Sequence, residues 1–224
     1  MSSNAIAMSN SKQNKINVKT WQMFFIITVL SILISFVFQK LIMTREVYYA
    51  LYGSQMEEYR IDDLVGMMQK FQLWGYVATP LIIWLRIAFV SFLIQLPFML
   101  KYNEIPFKDI FRIVTIAYFV LLSADIVRFF FLYFQPSENI SADLLTFMPL
   151  SITNFLNKSN YSDLSFSFLS KINLFELGWG FVVYLGLAKT KKMENIDYAL
   201  IVLGVWIGIV ALTLGLTLFL GAIA

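Results

Sequence analysis

Residues 21–38, WQMFFIITVLSILISFVF, open on a tryptophan and carry no charge. A helix that crosses a bilayer needs about 20 mostly apolar residues. Five stretches of this chain meet or approach that length: 21–39, 74–100, 110–134, 173–189 and 198–223. Lipid offers no partner to a backbone N–H or C=O, so such runs fold as helices that satisfy themselves. The expected fold is therefore all-α, a polytopic integral membrane helical bundle of about five transmembrane helices. A flexible tail over residues 1–20 precedes a single transmembrane domain over 21–224. The second stretch holds Pro80 and Pro97 and is expected to kink; the fourth is the shortest.

Composition agrees with that assignment. Hydrophobic residues make up 59% of the chain and charged residues 14%, where a soluble domain carries about 25% charged. Many of the 22 Phe and 11 Tyr cluster where helices would meet headgroups, as aromatic belts do. The chain has no Cys and no His, which removes thiol nucleophiles, disulfides, imidazole bases and the usual zinc, haem and iron–sulfur ligands. Gly-x-Ser-x-Gly, His-Glu-x-x-His, Gly-x-Gly-Asp and phosphate-cradling glycine loops are also missing, so neither an enzymatic activity nor a cofactor is expected. The net charge of +3 comes from 17 basic residues spread between hydrophobic stretches; they form no nucleic-acid patch and are read as topology determinants.

Lys12, Lys15 and Lys19, then Lys101 and Lys108, then Lys189, Lys191 and Lys192 fall on short segments of one side. Lys40, Arg45, Arg60, Lys70, Lys158 and Lys171 are spread over longer segments of the other. The positive-inside rule then puts the N-terminus in the cytoplasm and the C-terminus outside. Ala5-Ile6-Ala7 lacks an apolar stretch before it, so the first span is expected to act as an uncleaved anchor.

Between the first two spans, Ser54 and Glu57 have the spacing of a capping box. Ile61, Leu64, Val65, Met68 and Phe71 then recur at helical intervals. An amphipathic helix on the outer face is expected there, in contact with lipid or with a partner. The 135–172 loop carries LLTFMPLSITNFL, too short to span and suited to an interfacial or re-entrant segment. Its Asn139, Asn157 and Asn160 sit in N-x-S triplets, which matter only in a secretory pathway.

Charges inside the spans are the exception to this apolar pattern. One at the bilayer centre costs about 2.5–3.5 kcal/mol on insertion scales, so it should face the protein interior and find a partner. Counted from the neighbouring loops, Arg86 and Asp125 fall at similar depths, and Arg128 shares a helix face with Asp125 at i, i+3. Glu176 opens the fourth span. The expectation is an intramembrane ion-pair network, Arg86–Asp125–Arg128–Glu176, acting as glue that fixes helix register or as an ion or proton pathway, with simple snorkelling at the helix ends as the third reading. In the last span Gly204, Gly208, Ala211 and Gly215 form a small-residue stripe, expected to pack against a helix of this chain or of a partner.

FKDIFRIVTIAYFVLLS, residues 107–123, resembles the start of a central span in prokaryotic members of the Yip family, the Ypt/Rab-interacting membrane proteins. SFLSKINLFELGWGFVVYLGLAKTKKMENIDYALIVLGVW, residues 167–206, is similar to that family's closing hairpin. The resemblance covers roughly residues 105–215 and implies a five-span bundle with a cytoplasmic N-terminus. No Asp-Leu-Tyr-Gly-Pro motif precedes the first span, and Leu51-Tyr52-Gly53 follows it, so binding of a Rab-type GTPase is not carried over.

Two functions remain in view. The first is a non-enzymatic scaffold or accessory subunit that meets a membrane-protein partner in the bilayer of a bacterial inner membrane. The alternative is a small permease or channel subunit that uses the intramembrane Arg/Asp network.

Overall fold

A computed structural model describes residues 19–101 and 105–223. The expected tail over 1–20 lies almost wholly outside the described residues, as does Ala224. Among the described residues the chain is all-α, with α1 (Thr20–Leu41), α2 (Arg45–Tyr52), α3 (Glu58–Leu100), α4 (Phe107–Tyr133), α5 (Ala142–Leu145), α6 (Asp163–Ser170), α7 (Leu174–Ala188) and α8 (Asn195–Ile223). Four of these, α1, α3, α4 and α8, are long and apolar enough to cross a membrane. The fifth expected span, 173–189, is the helix α7, whose 15 residues reach about 22 Å at 1.5 Å per residue. That is less than a hydrocarbon core of about 30 Å.

The amphipathic stretch expected as a helix of its own is instead the first part of α3, which runs unbroken for 43 residues through Pro80 and Pro97. Nothing between Phe71 and Trp74 stops a helix, so the amphipathic and apolar runs fuse. The capping box also differs: the N-cap is Glu57, which makes no side-chain cap bond, and Ser54 lies in the preceding turn. At 1.5 Å per residue, α3 is about 65 Å long, roughly twice the hydrocarbon core. Its first turns are gripped by α2: Arg45 forms a two-pronged ion pair with Asp62, and Tyr49 donates to the same carboxylate at 3.0 Å. The hydrogen-bonded guanidinium holds the Asp62 carboxyl below its ordinary pKa. Ile61 and Val47 are buried nearby.

The bundle is built around α4, with α1, α3 and α7 packed on it and α8 packed on α7 and α3. Ile27, Ile87, Ile94, Ile110, Val114, Val183, Leu187 and Tyr198 form its buried core. Glycines bring α7 against α4. A Cβ on Gly178 would lie 3.1 Å from Val120 Cγ1, and one on Gly186 would lie 2.5 Å from Ile113 Cγ2. Because the α4 number falls as the α7 number rises, the two helices run antiparallel, and α7 returns along most of α4.

Each end of the bundle is tied. At one end Lys101 pairs with Asp197 at 2.6 Å, Phe98 meets Tyr198 at 6.2 Å, and Gln95 donates to the Ile105 carbonyl at 3.0 Å. The Tyr198 hydroxyl accepts from the Lys192 and Met193 amides at 2.7 and 2.8 Å, which fixes the turn between α7 and α8. At the other end Ile42, Val47, Leu132 and Ile140 form a second buried cluster. There the 135–172 segment folds into short helical turns rather than one apolar rod. It is pinned to the start of α7 by a bridge between Ser151 and Asn173. Asn173 caps α7, accepting from the Phe175 and Glu176 amides at 3.0 and 2.9 Å.

Candidate functional site

The four charged residues expected to form one network divide between two openings in the bundle. No pair of Arg86, Asp125, Arg128 and Glu176 forms an ion pair within 4.0 Å. The register between α3 and α4 explains why. The Arg86 guanidinium lies 5.6 Å from the centre of the Tyr118 ring, so Arg86 is level with Tyr118. Asp125 is seven residues further along α4, about 10 Å away along the axis. The similar depth counted from the loops does not bring the two together, because the Arg86 guanidinium turns to the Tyr118 ring rather than to the Asp125 carboxylate.

The first opening is a cavity of about 380 Å³ between α3, α4, α7 and α8. Its polar wall is Arg86, Tyr118, Lys171 and Glu176; Trp179 and Trp206 supply aromatic faces. Arg86 stands over the face of Tyr118, an arrangement in which the ring quadrupole attracts the cation. Lys171 is brought to the rim by the Ser151–Asn173 bridge, two residues from its own position. Glu176, in the first turn of α7, is within electrostatic reach of both cations. Phe89 and Leu212, both exposed, line the cavity from α3 and α8. The mouth therefore opens sideways between those helices, on the outer surface of the bundle.

The second opening is a cleft of about 250 Å³ between α1 and α4, lined by Ser31, Ser35, Phe38, Gln39, Asp125 and Arg128 among others. Arg128 donates through Nη2 to the Leu145 carbonyl, and its guanidinium lies 5.9 Å from the Phe38 ring centre. Its buried Nε has no hydrogen-bond partner. Asp125 and Arg128 thus share the cleft, as the i, i+3 spacing suggested, with the guanidinium turned toward the chain that covers this end of the bundle.

The small-residue stripe of α8 packs closely against no described helix of this chain. Gly204, Gly208 and Gly215 have no atom of another helix within 4 Å of where a Cβ would sit, and Ala211 is exposed. Gly204 and Gly208 line an open groove of about 430 Å³ with Leu93, Pro97 and Leu200. Close helix packing by glycine falls instead to Gly178 and Gly186 of α7, which stand outside the expected stripe. Their spacing of eight residues puts both on one helix face, a signal that was present. Tyr118, Lys171, Trp179 and Trp206 were missed as well, since no motif marks a side chain that lines a cavity.

Among the described residues no group of three or more Asp or Glu side chains is placed to hold a metal ion. What the first cavity offers chemically is two cations, one carboxylate and aromatic walls in a largely apolar shell. Comparison with known proteins adds no relative: no family model, no curated protein and no solved structure matches the chain.

Proposed function

We propose that the chain is a five-crossing, non-enzymatic integral membrane protein that serves as a scaffold or accessory subunit of a larger membrane assembly. The observation that carries this reading is the length of α3. Phe36 of α1 meets Tyr76 of α3 at 6.3 Å, and the two helices run antiparallel, so the α1 end at Leu41 is level with about Phe71. The α3 residues before Phe71 extend about 20 Å beyond that level. This stalk is clamped by Arg45–Asp62 and exposes Met67, Met68 and Phe71. Methionine adapts to many apolar surfaces and recurs where a protein docks partners. A stiff, latched element with that face suits a partner in the same membrane.

The fifth crossing in this reading is α7. Its antiparallel run along α4 supports it, as does the pairing of Lys101 with Asp197, which sets the start of α8 beside the end of α3. The resemblance of residues 105–215 to prokaryotic Yip-type proteins points to the same number of crossings. The charge bias of the connecting segments favours a bacterial inner membrane with the N-terminus in the cytoplasm. A photo-crosslinking residue placed at Met68 in native membranes tests the role. A discrete protein adduct supports it; adducts to lipid alone, with the chain solitary after mild detergent extraction, refute it.

The second reading, a small permease or channel subunit, is favoured by one observation: both Arg86 and Asp125 border openings within the bundle. Flux across proteoliposomes that is abolished by Asp125→Asn would favour it over the accessory role.

A further inference from the structure

We infer that the cavity beside Arg86 is a binding site for the anionic head of an amphiphile, a phosphate monoester or diester group received between Arg86 and Lys171. The charges that line the cavity favour such a partner. Among the groups that border the two intramembrane openings, Arg86, Lys171 and Arg128 are cations, while Glu176 and Asp125 are the carboxylates. Asp125 shares its own cleft with Arg128. The cavity is thus lined by two cations, Arg86 within the span and Lys171 at the rim, against the one carboxylate of Glu176, with Asp125 reaching Arg86 only through longer-range attraction; a charge held in an apolar layer is costly unless compensated. An oxyanion seated between the two cations removes that cost, and an Arg fork is suited to phosphate geometry.

Shape and access specify the rest of the ligand. The cavity of about 380 Å³ falls at the small end of ligand sites, enough for a headgroup but not for a whole lipid. Its mouth lies between exposed Phe89 and Leu212, so acyl chains would remain outside along α3 and α8. Trp179 and Trp206 supply flat apolar faces against which a glycerol backbone can rest. Glu176, on the same polar wall, repels the anion in part and offers an acceptor to a hydroxyl of the head. These features select an anionic, hydroxyl-bearing phosphate head over a zwitterion. The inference does not depend on the accessory role, since a lipid site suits an accessory subunit and a permease equally.

The test uses the full chain purified in mild detergent and titrated with phosphatidylglycerol, phosphatidylcholine and water-soluble glycerol phosphate, with bound ligand counted by native mass spectrometry. Phosphatidylglycerol should be retained over phosphatidylcholine. Arg86→Gln and Lys171→Gln should each weaken retention about tenfold or more, the loss expected for a hydrogen bond to a charged group. Glu176→Gln should strengthen it. If glycerol phosphate binds with the same dependence on Arg86 and Lys171 while the lipid does not, the oxyanion site stands and its source is soluble. Equal retention of both lipids with no binding of glycerol phosphate, or retention unaffected by Lys171→Gln and Glu176→Gln, overturns the inference. Those two positions border the rim and the first turn of α7, so they keep the test decisive should Arg86→Gln fail to fold.

Discussion

Gly186 of α7 stands so close to Ile113 of α4 that a Cβ added to it would lie 2.5 Å from Ile113 Cγ2 and 3.2 Å from Ile113 Cβ. Ile113 is β-branched and has little rotamer freedom on a helix with which to yield. Gly186→Ala should therefore destabilise the bundle by about 1–3 kcal/mol, the usual cost of overpacking. Gly178→Ala, facing only Val120 Cγ1 at 3.1 Å, should cost less. Gly204→Ala and Gly208→Ala meet open space and should be neutral or stabilising. Thermal unfolding of the four variants in detergent checks the order.

The Tyr198 hydroxyl is the acceptor for two backbone amides, Lys192 and Met193, and the residue is fully buried. Tyr198→Phe keeps the ring against Phe98 but takes away their acceptor. A loss of about 1 kcal/mol is expected, the net worth of hydrogen bonds whose part-buried amide donors can turn to water. Hydrogen exchange should rise at Lys192 and Met193 rather than along the whole of α8.

The latch between α2 and α3 should respond to acid. The hydrogen bond from Arg45, and secondarily that from Tyr49, lowers the Asp62 pKa below its ordinary value. A depressed carboxyl stabilises the folded arrangement fully above its unfolded pKa, and that stabilisation is lost as pH falls through the folded one. Protection of the amides over residues 45–52, taken relative to their intrinsic exchange rate at each pH, should therefore be high at neutral pH and fall on acidification through and below the usual carboxylate range. Asp62→Asn should show the low protection at neutral pH already.

Arg86 and Asp125 should couple only weakly. They form no direct ion pair, and of the two cations that act on Asp125 Arg128 acts more strongly than Arg86; the effects of sites more than about 7–10 Å apart usually add to within about 0.5 kcal/mol. A double-mutant cycle on unfolding should give a coupling below that level for Arg86 with Asp125 and a larger one for Asp125 with Arg128, which share one cleft.

Hydropathy alone located the long helices to within a few residues: 21–39 against Thr20–Leu41, 110–134 against Phe107–Tyr133, 198–223 against Asn195–Ile223. Length and apolarity control these elements, and both are properties of a single segment. The continuity of α3 was not legible, because an amphipathic helix and a spanning helix share the same period and no breaker separates them near Phe71. Lateral register was illegible for a different reason. Depth counted from a loop does not say which way a side chain turns, and that direction decided whether Arg86 met Asp125 or Tyr118. The glycine stripe of α8 stood out by its density, yet its neighbours leave it open. The paired glycines of α7 do the packing because the partner surface, Val120 and Ile113, lies on another helix.

If α7 crosses the bilayer, the segments on either side of it face opposite compartments. The chain has no cysteine, which makes an introduced one a unique label. Ser159→Cys and Lys191→Cys, probed with a membrane-impermeant maleimide in intact cells and in inverted vesicles, should react from opposite sides: position 159 from outside, position 191 from the cytoplasm. Labelling of both positions from the same side would contradict the five-crossing account.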